Sequence, residues 1–198
     1  MHKKFLYAGV AVLLFSFLTF TGCKQDDMPK AKTHEEMVAL GKYIVTTGGC
    51  EDCHSPKIYT EKGPEFDTTR SLSGFPANET LPDIDLNMVT PGKWVMTEKN
   101  FSAWVGPWGI SYASNLTPDK ATGIGTLTEE MFIKSFREGK YMGVGRPLLP
   151  PMPWQVIGKK TDEDLKAIYA YLMSIKPIHN MVPQPTPPDK IMGMQTKK

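Results

Sequence analysis

Apolar side chains fall along the chain in one near-continuous run and three periodic segments, separated by long stretches without period. The run covers residues 5–20 and is broken only by Ser16 and Thr19. It is shorter than the roughly 20 residues that a membrane-spanning helix needs. Met37, Leu40, Tyr43 and Ile44 recur at helical spacing, which predicts a helix over 35–47 with Thr33 as its cap. Gly41 interrupts that helix. A mid-helix glycine costs about 1 kcal/mol relative to alanine, and a close crossing by another helix is a physical reason to keep one. A second helix is predicted from a cap at Thr126 or Thr128, through Phe132 and Phe136, to a stop at Gly139. A third opens with Thr161 and Asp164 in capping-box spacing and runs over 162–175. Leu165, Ile168, Tyr169 and Leu172 line its buried face, and Pro177 ends it.

Residues 55–125 are rich in Pro, Gly and Asn and show little period, so they read as one long loop. Four tryptophans, Trp94, Trp104, Trp108 and Trp154, argue that this region and its surroundings are ordered. Residues 179–198 are dense in proline and read as an extended or mobile tail.

The start of the chain changes the picture. Lys3 and Lys4 precede the apolar run, which closes on Phe20-Thr21-Gly22-Cys23. Positive start, short apolar stretch and small residues before a cysteine resemble a bacterial lipoprotein signal, with Cys23 as the lipidated residue. Residues 1–22 are thus expected to be a signal peptide and 23–32 a lipidated tether. The folded part is expected on the periplasmic or cell-surface side of a bacterial membrane. Loss of residues 1–22 removes two lysines and no acid, leaving 21 basic against 21 acidic residues from the 23 and 21 of the whole chain. A mature chain without net charge offers no global field for nucleic acid. With 40% apolar and 22% charged residues over 198 positions, the composition is that of an ordinary globular domain.

Three cysteines is an odd number, and each has a role. Cys23 fits the lipid anchor. Cys50-Glu51-Asp52-Cys53-His54 has the Cys-x-x-Cys-His form of a c-type haem attachment site. One helical turn places both sulfurs along a porphyrin edge, where they add to the vinyl groups, and brings the next side chain under iron. A structural zinc site would want four ligands, and no second ligand pair stands at finger spacing. A thioredoxin-like pair would want a βαβ context that the flanks do not supply. One covalent haem c is therefore expected on Cys50 and Cys53, with His54 as an iron ligand.

For the opposite face of iron the chain offers twelve methionines. Met152 stands out in Leu149-Pro150-Pro151-Met152-Pro153-Trp154, where flanking prolines fix backbone angles and lower the ordering cost of presenting the thioether. Met142 is its nearest rival. His179, beyond the last helix, and His34, at the start of the first, are weaker ones.

The order of helix, Cys-x-x-Cys-His, loop, helix, Pro-Met-Pro and helix resembles the class I monohaem c-type cytochromes. Further segments, Gly63-Pro64, Leu72-Ser73-Gly74, Gly106-Pro107-Trp108-Gly109, Asn115-Leu116-Thr117-Pro118-Asp119 and Thr122-Gly123-Ile124-Gly125, resemble the cytochrome subunits of membrane-bound alcohol and gluconate dehydrogenases. The resemblance implies a mainly α cytochrome c fold over 33–178, with three to five helices around one haem and a long ordered loop insertion. It implies that the carbonyl of Pro64 accepts the other ring N–H of His54, and that Gly41 and Tyr43 meet Tyr169 and Leu172 of the last helix. Trp108, Arg146 and Trp154 become candidate neighbours of the haem edge and propionates.

The function implied is one-electron transfer by a lipid-anchored carrier, with dehydrogenase or oxidase proteins as redox partners. Two other readings are a haem sensor or peroxidase-like enzyme with an open iron position, and a fixed electron-transfer subunit of a larger oxidoreductase.

Overall fold

The computed structural model describes residues 30–195, and residues 192–195 by backbone alone. The expected signal peptide and Cys23 lie outside the described residues. A compact unit begins at Lys32. Among the described residues are six helices and five short strands.

Helix α1 (His34–Thr47) starts where its sequence says it should. The Thr33 hydroxyl accepts from the Glu36 N–H while the Glu36 carboxylate accepts from the Thr33 N–H, which satisfies two of the orphan donors of the first turn. Helix α2 (Cys50–His54) is the motif itself, entered through Gly49 in the left-handed conformation. Helix α3 (Glu129–Glu138) is capped by Thr128 and stopped by left-handed Gly139. The single turn α4 (Trp154–Ile157) follows the Pro-Met-Pro segment. Helix α5 (Asp162–Ser174) opens with the Thr161–Asp164 capping box, and α6 (Pro188–Gln195) ends the described chain.

The main core joins α1, α3 and α5 through Ile44, Val45, Phe132, Leu165, Ile168 and Leu172, with Leu72, Ile124 and Leu127 from the connecting segments. Gly41 sits where α1 crosses α5. A Cβ there would lie 1.9 Å from the Ala167 carbonyl oxygen, so only glycine lets the two backbones approach. The atoms nearest a Cβ on Gly41 belong to Ala167 and Tyr171, and the expected Leu172 packs in the same core as Ile44 and Val45 of α1. Tyr43 is exposed, and Tyr169 instead packs on Phe132 and donates its hydroxyl to the Leu127 carbonyl at 2.7 Å.

Residues 55–125 are not one irregular loop. Strands β1 (Lys57–Thr60) and β2 (Gly63–Phe66) form an antiparallel hairpin, and β3 (Met96–Thr97), β4 (Ala103–Gly106) and β5 (Gly109–Tyr112) form an antiparallel sheet in that order. β4 and β5 turn through Pro107 and Trp108, with Gly106 opposite Gly109. A second, smaller core of Val89, Val105, Ile110 and Ile191 lies against this sheet.

The last of these residues corrects the reading of the tail. Thr186 exchanges both backbone hydrogen bonds with Ile110, at 2.8 and 2.9 Å, and Ile191 of α6 is buried. Gly109 has φ +102°, and a Cβ on it would lie 2.0 Å from the Thr186 carbonyl oxygen, so the returning chain needs glycine there. Asn180 is the second fastening. Its amide donates to the carbonyls of Ser73 and Phe75 at 2.7 and 2.8 Å, and its oxygen accepts from the Ala77 N–H at 2.9 Å. Helices α4 and α6 also raise the helix number above the expected three to five.

Candidate functional site

The helical turn α2 carries three chemically useful side chains within five residues. Cys50 and Cys53 are unbridged thiols, each half-buried, and Cys50 packs against the main core. Burial pushes both thiols up, with Lys160 opposing at Cys50 and Lys57 at Cys53. Both sulfurs are therefore held as thiols, not thiolates, at neutral pH.

His54 is buried, and its Nδ1 lies 2.7 Å from the carbonyl oxygen of Ser114. A carbonyl only accepts, so Nδ1 carries the proton and Nε2 keeps its lone pair. Burial draws the imidazole below its ordinary value, and the Ser114 carbonyl opposes. The neutral ring is the ligating form. Nε2 makes no hydrogen bond among the described residues.

The acceptor is not Pro64. That residue lies on β2 opposite Tyr59, exposed in a hairpin, while Ser114 lies two residues beyond the end of β5. Three strands of backbone converge there. Gly74 donates to the His54 carbonyl at 2.7 Å, Phe75 to Ala113 at 2.9 Å, and Leu116 to Leu72 at 2.9 Å. Ser55, next to His54, locks the same segment by accepting from the Leu72 N–H at 2.9 Å.

Met152 is half-buried just before α4, and the Trp154 N–H closes on its carbonyl at 2.9 Å. The Pro150–Pro151 bond is cis. Its rival Met142 packs against the main core, with its N–H bound to the Ser135 hydroxyl at 2.9 Å. His34 is exposed at the start of α1. His179 is exposed and 3.7 Å from the Asp119 carboxylate.

Of the other candidates, Trp154 lies with its ring over Gly139, and Arg146 is exposed with no carboxylate partner among the described residues. Trp108 folds over Gly106 and donates its indole N–H to the Ser111 hydroxyl at 3.3 Å. Ser111 and Ser114, which sequence reasoning passed over, both contact the segments that carry the expected ligands. A turn signal, Gly106-Pro107-Trp108-Gly109 between apolar residues, marks the hairpin from which they extend.

The donor set fits a c-type haem. Two thiols and an imidazole with a free Nε2 share one turn, and no cluster of three or more His, Cys, Asp or Glu among the described residues could hold a bare metal ion. Among those residues no helix is long and apolar enough to cross a membrane.

No family model matches the chain. It is similar to the gluconate 2-dehydrogenase cytochrome c subunit of Pantoea cypripedii, 30% identical over 165 residues, which cover 83% of this chain and 28% of that protein. It is also similar to the fructose dehydrogenase cytochrome subunit of Gluconobacter japonicus, 44% identical over 73 residues, 36% of this chain and 15% of that one. The alcohol dehydrogenase (quinone) cytochrome c subunit of Gluconacetobacter polyoxogenes is 39% identical over 131 residues, 58% of this chain and 28% of that one. The chain thus spans under a third of the length of the curated relatives it matches.

Proposed function

We propose that this chain, a relative of the cytochrome c subunits of bacterial gluconate, fructose and alcohol dehydrogenases, is a one-electron carrier with the cytochrome c fold. It holds one haem c through thioether bonds from Cys50 and Cys53, with His54 Nε2 and the Met152 sulfur as iron ligands. The observation that carries this reading is the Nδ1–H of His54 given to the Ser114 carbonyl at 2.7 Å, on the same turn as the two thiols. It fixes the tautomer and points the remaining lone pair away from its own backbone partner.

When bound, the haem supplies a ferric/ferrous couple that a thioether opposite imidazole sets toward the high end. The chain supplies the rest. Ser114 orients the imidazole, the two cysteines prevent dissociation through repeated docking, and Met152 closes the remaining position to exogenous ligands. Trp154 and Arg146, which has no carboxylate partner among the described residues, serve as neighbours for the macrocycle and its propionates.

Lipid on Cys23 would hold the carrier on the periplasmic or outer side of a bacterial membrane, where its partners are redox proteins. The relatives are subunits of dehydrogenases, which favours, as a second reading, a fixed place in such a complex. Co-purification in constant ratio with a dehydrogenase would select it over free diffusion.

The test is production of the full chain in a cell that matures c-type cytochromes. Pigment that stays with the polypeptide in acidified acetone, and a low-spin spectrum that carbon monoxide leaves unchanged, are expected. Colourless protein, or pigment that extracts, refutes the reading. Met152→Ala should abolish the sulfur-to-iron band and admit carbon monoxide; an unchanged spectrum would remove Met152 from the ligand set.

A further inference from the structure

The segment that bears Met152 is poor in the means of attaching itself to anything. Three of the five residues from Leu149 to Pro153 are prolines and have no N–H. Their remaining backbone bonds are local: Met152 donates to Leu149 at 3.2 Å, Trp154 to Met152 at 2.9 Å, and Val156 and Ile157 to Pro153 at 3.0 and 3.1 Å. Among the described residues one hydrogen bond ties this segment to a distant element. The Ser111 hydroxyl of β5 donates to the Pro150 carbonyl at 2.6 Å, across 39 positions of sequence.

Ser111 is built to make that bond. It is 7% exposed, so its hydroxyl does not exchange freely with water. The Trp108 indole N–H occupies one of its lone pairs at 3.3 Å, which turns the hydroxyl proton toward an acceptor. The alternative acceptor, the Trp104 carbonyl, is at 3.5 Å, well beyond the 2.6 Å of Pro150. Three residues further on, the Ser114 carbonyl holds His54. One short stretch of chain, 111–114, therefore contacts the segments of both expected iron ligands.

We propose that Ser111 is a positioning residue that holds the Met152 segment in register with His54, and so controls how firmly the thioether stays on iron. The proposal rests on the reading of Met152 as a ligand. A thioether is a weak ligand, and its occupancy depends on how rigidly the backbone delivers it. Loss of one buried hydrogen bond shifts a local equilibrium by up to about tenfold, which is large when the competing state is a detached sulfur.

The experiment uses the full-length haem-loaded protein and compares Ser111→Ala, Ser111→Thr and Met152→Ala. Three readouts are the sulfur-to-iron band, the reduction potential, and the fraction of reduced protein that binds carbon monoxide. Ser111→Ala should weaken the band, lower the potential and raise the carbon-monoxide-reactive fraction about fivefold to tenfold. Ser111→Thr, which keeps the hydroxyl, should restore all three. A structural role alone would lower stability and leave band and potential in place, and that result overturns the proposal. If Met152→Ala leaves the spectrum unaltered, the ligand reading itself fails and the proposal with it. If Ser111→Ala does not accumulate, Trp108→Phe removes the indole donor and should move the readouts the same way by a smaller amount; no movement overturns the proposal.

Discussion

The imidazole of His54 and the carbonyl of Ser114 are 60 positions apart in sequence and 2.7 Å apart in space, and the contact uses only the backbone of Ser114. The Ser114 side chain is exposed and contributes nothing to it. Ser114→Ala is therefore expected to leave the visible spectrum and reduction potential unchanged and to alter stability by less than about 0.5 kcal/mol. His54→Ala should abolish the native spectrum. Optical redox titration of both variants checks the pair.

Each sulfur of α2 should act alone. Cys50→Ala and Cys53→Ala are each expected to keep pigment on the polypeptide through the remaining thioether, at reduced yield, while the double variant loses it under denaturing conditions. Haem staining after denaturing electrophoresis separates these outcomes.

Gly41→Ala sets two effects against each other. Alanine gains about 1 kcal/mol in helix propensity. The added Cβ would lie 1.9 Å from the Ala167 carbonyl oxygen, a backbone atom that moves only with α5. Overpacking of this kind costs about 1–3 kcal/mol, so net destabilisation is expected, read as a lower midpoint in guanidinium.

Asp67 supplies a pH dependence outside the site. Its carboxylate accepts from the Thr69 hydroxyl and N–H at 2.6 and 3.0 Å and from Arg70 Nε at 2.8 Å. The Thr69 hydroxyl first, then Arg70, hold it below the ordinary carboxylate value of 3.8. A lowered folded-state value stabilises above the unfolded one, and the stabilisation is lost as pH falls through the folded one. Asp67→Asn should cost about 1–2 kcal/mol at neutral pH and flatten the acid limb of the stability profile, measured by denaturant titration from neutral to acid pH.

Asn180→Ala removes three hydrogen bonds, to Ser73, Phe75 and Ala77. A loss of about 2 kcal/mol is expected, with faster proteolysis between residues 179 and 187 as the specific sign that the returning chain has loosened.

What could be read from sequence was what sequence writes locally. The capping residues Thr33, Thr128 and Thr161 and the stop at Gly139 lie where the periodic segments place them, because capping needs only neighbours within four residues. Cys50, Cys53 and His54 share a turn for the same reason. The acceptor for His54 was not legible, since any residue supplies a carbonyl and nothing in the letter Ser114 marks its use. Pro64 was expected there and stands instead on an exposed strand. The strands escaped notice because β4 buries Ala103, Val105 and Gly106 together, which erases the alternation a half-buried strand shows. The packing of the tail was not legible because Asn180, Thr186 and Ile191 gain their meaning only from partners 76 to 107 positions earlier.

Ile191 also sets an order of events. It completes a cluster whose other members, Val89, Val105 and Ile110, emerge some 80 to 100 residues sooner during synthesis. The helix pair at the crossing of Gly41 and Ala167 can close 24 residues before that, whereas the smaller core is complete only once Ile191 has been delivered. A bulky fusion after Ile191 would therefore burden the late-closing smaller core more than the crossing of α1 and α5.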